Sequence, residues 1–128
     1  MSQGRVSANL AVAATVVMLL CLIAGAKYAE AATYMVGDAN GWSANVANWP
    51  KGKSFVAGDV LVFKYNPTFH NVAVVDQAGY TSCSVPSDAK LFNSGNDSIP
   101  LSKGQNFFIC AKPGHCARLG MKIAINAA

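Results

Sequence analysis

After residue 32, hydrophobic and polar residues alternate along short segments of the chain. Residues 59–65 set Leu61 and Phe63 against Val60 and Val62, and residues 121–126 follow the same period of two. This alternation is typical of a β-strand with one buried face. Runs rich in β-branched or aromatic residues, bounded by Gly, Pro or Asn, predict further strands at residues 33–36, 71–76, 97–101 and 107–110.

The spacing of these segments indicates an all-β fold. Short strands that recur about every 8–12 residues with Gly and Pro turns between them are the pattern of an antiparallel sandwich or barrel. They do not alternate with long helical segments, as they would in a parallel α/β fold. Within the domain, helical character is predicted only for residues 86–92, with Ser84 or Ser87 as the cap and residues 93–95 as the stop.

The N-terminal segment has a different character. Residues 8–26 are almost wholly apolar, Arg5 precedes them, and Ala29-Glu30-Ala31 has the small-x-small pattern of a signal peptidase site. A signal anchor that stays in the membrane is the alternative, because the apolar run is close to membrane-spanning length. The cleavage motif favours a secretory signal peptide of residues 1–31, followed by one domain of residues 32–128.

The charge on this domain is low and scattered. Residues 32–128 contain seven Lys and one Arg against five Asp, a net charge of 8 − 5 = +3. Because no dense basic run with interleaved aromatic residues occurs, nucleic acid is not an expected partner. We expect a secreted monomer of the extracellular space, apoplast or cell wall, with a weak preference for acidic partners. The C-terminal residues form no hydrophobic tail, so no membrane anchor is expected after signal removal.

The cysteines of the domain are odd in number. Cys21 lies in the signal peptide, which leaves Cys83, Cys110 and Cys116. In a secreted protein this count indicates one disulfide and one thiol with another role. A bond between Cys83 and Cys116 would close a loop of about 34 residues, worth roughly 3.5–4 kcal/mol from lost chain entropy. Spacing favours this pair, because adjacent His115 and Cys116 would hardly reach one metal, but a bond from Cys83 to Cys110 stays open.

Soft donor groups are concentrated between two predicted strands. Cys110, His115 and Met121 lie within twelve residues, and His70 directly precedes another predicted strand. Each of these residues also has an interpretation without a metal. Cys110 would then be an inert buried thiol, His70 a surface residue and Met121 a core residue. Together they form the two-histidine, one-cysteine set with a nearby methionine that is typical of an electron-transfer copper site. Zinc would gain little from the thioether, and four protein ligands leave no open position for a substrate, so we expect no enzyme.

Several motifs carry a resemblance to a known family. They are His70-Asn71, the segment 107–110, Pro113-Gly114-His115-Cys116 and the segment 120–124, and together they resemble the phytocyanins. Residues 49–53, 55–59 and 65–67 are similar to the plantacyanin, or basic blue protein, type. The resemblance implies a cupredoxin Greek-key sandwich with one type 1 copper ion. It further implies that His70, Cys110 and His115 are the trigonal ligands, Met121 is the weak axial ligand, and Cys83 is bonded to Cys116.

The spacing before Met121 departs from that family. Five residues separate His115 from Met121, whereas the family typically has four. Either the loop absorbs the extra residue or the axial contact lengthens. A slip of the following strand by one residue would turn Met121 and Ile123 away from the core, which costs far more than a bulge in the loop. We therefore predict a loop bulge, for which Gly120 supplies the backbone freedom.

The donor set predicts a secreted carrier of single electrons in which copper cycles between Cu(II) and Cu(I). Its redox partner would be a small molecule or a protein. Asn71 is a candidate hydrogen-bond partner of the Cys110 sulfur, although it is equally a polar residue at a strand start. His115 is the expected ligand at the solvent edge. The alternative function is an extracellular signalling or cell-wall binding module in which copper is structural or dispensable.

One modification motif occurs in the domain. Asn96-Asp97-Ser98 is a permitted acceptor for N-glycosylation, whereas Asn66-Pro67-Thr68 is excluded by its proline. Asn96 is therefore a possible glycosylation site of a secreted chain.

Overall fold

The structure, a computed structural model, describes residues 30–128. This part of the chain contains seven β-strands in two sheets. All neighbouring strands are antiparallel except β1 and β2, which run parallel. The sheets have the strand orders β1-β2-β5 and β4-β3-β6-β7. The strands are β1 (Thr33–Met35), β2 (Val60–Lys64), β3 (Val72–Val75), β4 (Lys90–Phe92), β5 (Asn96–Pro100), β6 (Gly104–Ile109) and β7 (Lys122–Ala127).

The two-sheet architecture confirms the predicted all-β class. Apart from its last two residues, the predicted signal peptide of residues 1–31 lies outside the described part of the chain. Within residues 30–128, no helix combines the length and the apolar character needed to cross a membrane.

The predicted alternation places the core between the sheets. Leu61 and Phe63 of β2 are fully buried, while Val60 and Val62 are partly exposed. Phe63 packs edge-on against Trp42 with ring centroids 5.0 Å apart, and its centroid lies 5.2 Å from that of Phe108 in the other sheet. This aromatic column joins the two sheets, and burying such side chains stabilises the fold by about 1.5–3 kcal/mol each.

The predicted helix at residues 86–92 is wrong. Residues 86–89 close a turn, in which the Ala89 N–H donates to the Pro86 carbonyl over 3.1 Å, and the next three residues form β4 against β3. The segment is too short to gain from helical hydrogen bonds what the sheet ladder provides.

Two short helices lie elsewhere in the described residues, α1 (Gln77–Ser82) and α2 (His115–Leu119), together with a 3₁₀ turn (Asp38–Asn40). The Asp76 carboxylate caps α1 by accepting from the Gly79 N–H over 2.8 Å.

The strand register brings the candidate ligands to one end of the four-stranded sheet. Ala73 of β3 lies opposite Ile109 of β6, and Ile109 lies opposite Lys122 of β7. The residues just before β3, just after β6 and just before β7 are therefore neighbours. These are the positions of His70, Cys110 and Met121.

Candidate metal centre

Three of the predicted ligands converge at this end of the sheet. The donor atoms of His70, Cys110 and His115 all lie within 4.8 Å of one another. The two Nδ1 atoms are 3.1 Å apart, and the Cys110 Sγ lies 3.5 Å from the His115 Nδ1. Cys110 is buried, whereas both imidazoles are partly exposed. The site thus has a dry sulfur and two nitrogen donors that reach toward solvent.

The separations between these atoms fit a single metal ion. Imidazole and thiolate ligands bind a first-row ion such as zinc at about 2.0–2.3 Å. Three such donors arranged around one centre lie about 3.5–4 Å from each other, which is within the observed spread. The site therefore needs only small adjustments to close around an ion.

The loop that carries His115 is closed by its own backbone. The Cys110 N–H donates to the Met121 carbonyl over 3.0 Å, which extends the β6–β7 ladder by one residue. The Met121 N–H donates to the His115 carbonyl, also over 3.0 Å. Between them α2 makes a single helical turn that ends at Gly120, where φ is +58° and glycine avoids the strain of a side chain. The imidazole is thus held at the first residue of a closed turn.

The strand that follows Met121 keeps its inward-facing positions. Met121 is fully buried in the same core cluster as Cys110, and Ile123 and Ile125 beyond it are also buried. The strand has therefore kept the predicted register, and α2 with Gly120 spans the segment between His115 and Met121.

A disulfide anchors the other side of the loop. Cys83 at the end of α1 is bonded to Cys116 in α2, with Cα atoms 5.6 Å apart. The predicted pairing is confirmed, and Cys110 is the free cysteine of the described residues. Because Cys116 directly follows His115, the bond restrains the backbone of a candidate ligand.

Asn71 joins the two segments of the site. Its Oδ1 accepts a hydrogen bond from the Ala111 N–H over 2.7 Å and lies 3.7 Å from the Cys110 Sγ. Its backbone carbonyl accepts from the Trp42 Nε1–H over 2.9 Å. The predicted contact with the sulfur is present, but it is made by the amide oxygen. This oxygen can accept from a thiol and cannot donate to a metal-bound thiolate, so the evident work of Asn71 is to fix Ala111, next to Cys110.

Comparisons with known proteins decide the family. Residues 39–121 match the family described as the plastocyanin-like domain. The chain is 52% identical to the basic blue protein of Arabidopsis thaliana over 99% of both chains. It is 49% identical to the chemocyanin of Lilium longiflorum over the full length of both. The solved structure of cucumber basic protein, a blue copper protein, superimposes with a TM-score of 0.74 at 56% identity, covering 76% of this chain and 100% of its own.

The chain belongs to the phytocyanins. Its cupredoxin-like fold and its similarity to the basic blue proteins confirm the resemblance seen in the motifs. The cofactor of this phytocyanin is a single type 1 copper ion, since thiolate, imidazole and thioether are the donors that copper prefers.

Electrostatics favour the metal-binding form of one histidine. Partial burial of His70, and secondarily the nearby charge of His115, lower the pKa of the His70 imidazole below its usual 6.5. The imidazole is therefore neutral at pH 7 in the metal-free phytocyanin, which leaves a nitrogen lone pair for a metal.

A partly buried polar network beside the site was not predicted from the sequence. The Tyr65 hydroxyl donates to the Asp97 Oδ2 and lies 3.1 Å from the Phe92 carbonyl. Ser94 donates to the other oxygen of Asp97, which is only 7% exposed. Burial and then the bond to Asp97 raise the pKa of Tyr65 to about 12. The available signal was Asp97 itself, a charged residue at an inward position of an alternating strand.

The network supports the segment that carries His70. Tyr65 begins the turn, and its N–H donates to the Gly95 carbonyl over 3.0 Å. Within the turn, the His70 N–H donates to the Asn66 carbonyl over 3.0 Å. The position of the imidazole therefore depends on hydrogen bonds that begin at β5.

Proposed function

We propose that this phytocyanin is a secreted carrier of single electrons, with His70, Cys110 and His115 as the trigonal copper ligands and Met121 as the weak axial ligand. Bound copper supplies the one-electron couple between Cu(II) and Cu(I). The observation that carries the proposal is the convergence of a buried thiol and two partly exposed imidazoles in a chain of this family. Met121 is buried in the same core cluster as Cys110, which suits it to the axial position.

The residues support electron transfer by holding a fixed frame. Asn71 fixes Ala111 next to Cys110, the disulfide restrains the residue after His115, and the Tyr65–Asp97 bond supports the turn before His70. None of these contacts uses a donor atom of the site, so they do not depend on a bond to the metal. A frame that moves little costs little reorganisation when an electron arrives or leaves.

The ligands differ in exposure and, we propose, in role. Cys110 is 1% exposed, so its sulfur is shielded from water and from oxidants. His70 and His115 are partly exposed and give an electron a short path from the surface. We propose their edges as the port for a small-molecule or protein redox partner.

Copper binding tests the electron-carrier function directly. Titration of the purified protein with Cu(II) should give an intense blue colour that saturates at one equivalent, a type 1 EPR signal, and reversible bleaching by a one-electron reductant. Cys110→Ser should remove the colour, because the thiolate supplies the charge-transfer band. The matched control is Ser82→Ala, which leaves the donor set intact. A wild-type protein that binds copper without colour, or that is bleached irreversibly, would overturn the proposal.

Secretion is the second part of the proposal. The disulfide fits an oxidising compartment, and the solved cucumber protein corresponds to about three quarters of this chain. Expression of the full chain in plant cells should release a protein into the medium whose first residue, by N-terminal sequencing, is Ala32. Recovery of the uncleaved chain in the membrane fraction would instead identify a signal anchor.

A further inference from the structure

The glycosylation motif lies on a solvent-facing strand. Side chains of β5 alternate, so that Asn96 and Ser98 are exposed while Asp97 and Ile99 point into the core. The described contacts of Asn96 include a hydrogen bond from its backbone N–H to the Ser94 Oγ, over 3.1 Å, and none from its side-chain amide. A sugar attached to this amide would therefore displace no described hydrogen bond.

The sheet face beside Asn96 carries exposed apolar side chains. In the cross-strand register Met35 lies opposite Val62, and Val62 lies opposite Ser98. Met35 is 37% exposed and Val62 is partly exposed. Two residues further along the strands, Lys64 lies opposite Asn96. Two apolar side chains on neighbouring strands thus lie next to the motif, on the face opposite the core.

The same strand is an edge of its sheet. In the order β1-β2-β5, only one side of β5 is paired with a strand in the described part of the chain. Unpaired edges beside exposed apolar residues invite association with other chains, and proteins cover or charge them. The turn before β5 is tightly packed, since a Cβ on Gly95 would lie 2.9 Å from the Tyr65 carbonyl oxygen. The outward side chains of β5, Asn96 and Ser98, are those placed to carry a group that covers this edge.

We propose that Asn96 carries an N-linked glycan that covers the outer face of the β1-β2-β5 sheet. A glycan is bulky, hydrophilic and anchored where the motif stands. It would shield Met35 and Val62 and block the edge of β5. This inference rests on the proposed secretion, because N-glycosylation requires entry into the secretory pathway.

Attachment is tested on the full chain expressed in plant cells. Protein recovered from the medium should gain electrophoretic mobility after treatment with a peptide N-glycosidase active on plant glycans. Asn96→Gln and Ser98→Ala should each abolish this shift, whereas the matched control Asn93→Gln, an exposed asparagine outside the motif, should retain it. Unshifted wild-type protein in the medium would overturn the glycan and leave secretion standing. Absence from the medium would overturn the proposed secretion and the glycan with it.

Coverage of the sheet face is tested by methionine oxidation. Exposed methionine oxidises faster than shielded methionine, so hydrogen peroxide should convert Met35 to its sulfoxide faster in Asn96→Gln than in the glycosylated protein. Peptide mass spectrometry gives the two rates, with buried Met121 as the internal reference. Equal rates in the two proteins would show that the glycan extends into solvent and would overturn the proposed cover.

Discussion

The two segments that present the imidazoles are held by different means. The His70 turn, residues 65–71, is fixed by hydrogen bonds, from Tyr65 to Asp97 at its start and from the His70 N–H to Asn66 at its end. The Cys110 loop, residues 110–121, is closed by the β6–β7 ladder and tied by a disulfide at Cys116. Both bring a nitrogen to the same point. The protein therefore sets the ligand frame itself, through one covalent and one non-covalent support.

Removing the covalent support should have the largest effect. The double substitution Cys83→Ala and Cys116→Ala frees a loop closed over a sequence separation of 33 residues. The free energy of unfolding of the metal-free protein should fall by about 3.5–4 kcal/mol, because the unfolded chain regains its entropy. Denaturant unfolding measures the change. A loss below about 1 kcal/mol, within the range of ordinary substitutions, would show that the Cys110 loop is held by its backbone alone.

Removing the hydrogen-bonded support should cost less. Asp97→Ala removes the carboxylate to which the Tyr65 and Ser94 hydroxyls donate, and Tyr65 keeps only the Phe92 carbonyl as acceptor. Because a hydrogen bond to a charged group contributes about 1.5–3 kcal/mol, we expect the free energy of unfolding to fall by roughly that amount. Hydrogen exchange should accelerate at the His70 N–H more than at the Met121 N–H, since only the first lies in the supported turn. Asp88→Ala, at an exposed carboxylate, is the matched control. Equal acceleration at both amides would contradict two separate supports.

The contrast between the segments also explains what the sequence could predict. The Cys110 loop was predictable because its donors are close in sequence and lie between two segments with clear strand signals, aromatic and β-branched composition before the loop and alternation after it. Gly120 marked the end of the turn before Met121. The His70 turn depends on Tyr65 and Asp97, which are 32 residues apart. Local sequence patterns do not encode a pairing over this distance, so the hydrogen bond between these two residues was not predicted.

The same limit applies to pairing between strands. Composition identified β1 and alternation identified β2 as strands, but their parallel direction depends on tertiary contacts that local patterns do not contain. The helix predicted at residues 86–92 does not form because residues 90–92 instead pair with β3 as strand β4. Asp76, whose carboxylate caps α1, is the local sequence signal for that helix.

Alkaline pH should weaken the His70 turn specifically. The pKa of Tyr65 is raised from 10.0 to about 12 in the folded protein, so folding favours the neutral phenol. Its contribution to stability is fully present below pH 10 and is lost as the pH rises toward 12. Tyr65→Phe cannot ionise and should lose less stability across this window. Unfolding midpoints measured between pH 9 and about 12 test this, and parallel curves for the two proteins would contradict it.

Shortening the Cys110 loop should have the smallest effect. Deletion of Ala117, an exposed residue of α2, restores the four-residue spacing typical of the family. Because Ile123 and Ile125 fix the register of β7, we expect Met121 to stay buried beside Cys110 and the copper-loaded protein to stay blue. Deletion of Thr68 is the matched change in the His70 turn, where the Asn66 Oδ1 accepts from the Thr68 N–H. It should abolish the colour, since the deletion shortens the turn closed by the hydrogen bond from the His70 N–H to the Asn66 carbonyl. Optical and EPR spectra distinguish the two deletion variants. Loss of the blue site in the Ala117 deletion would show that the length of α2 itself positions the ligands.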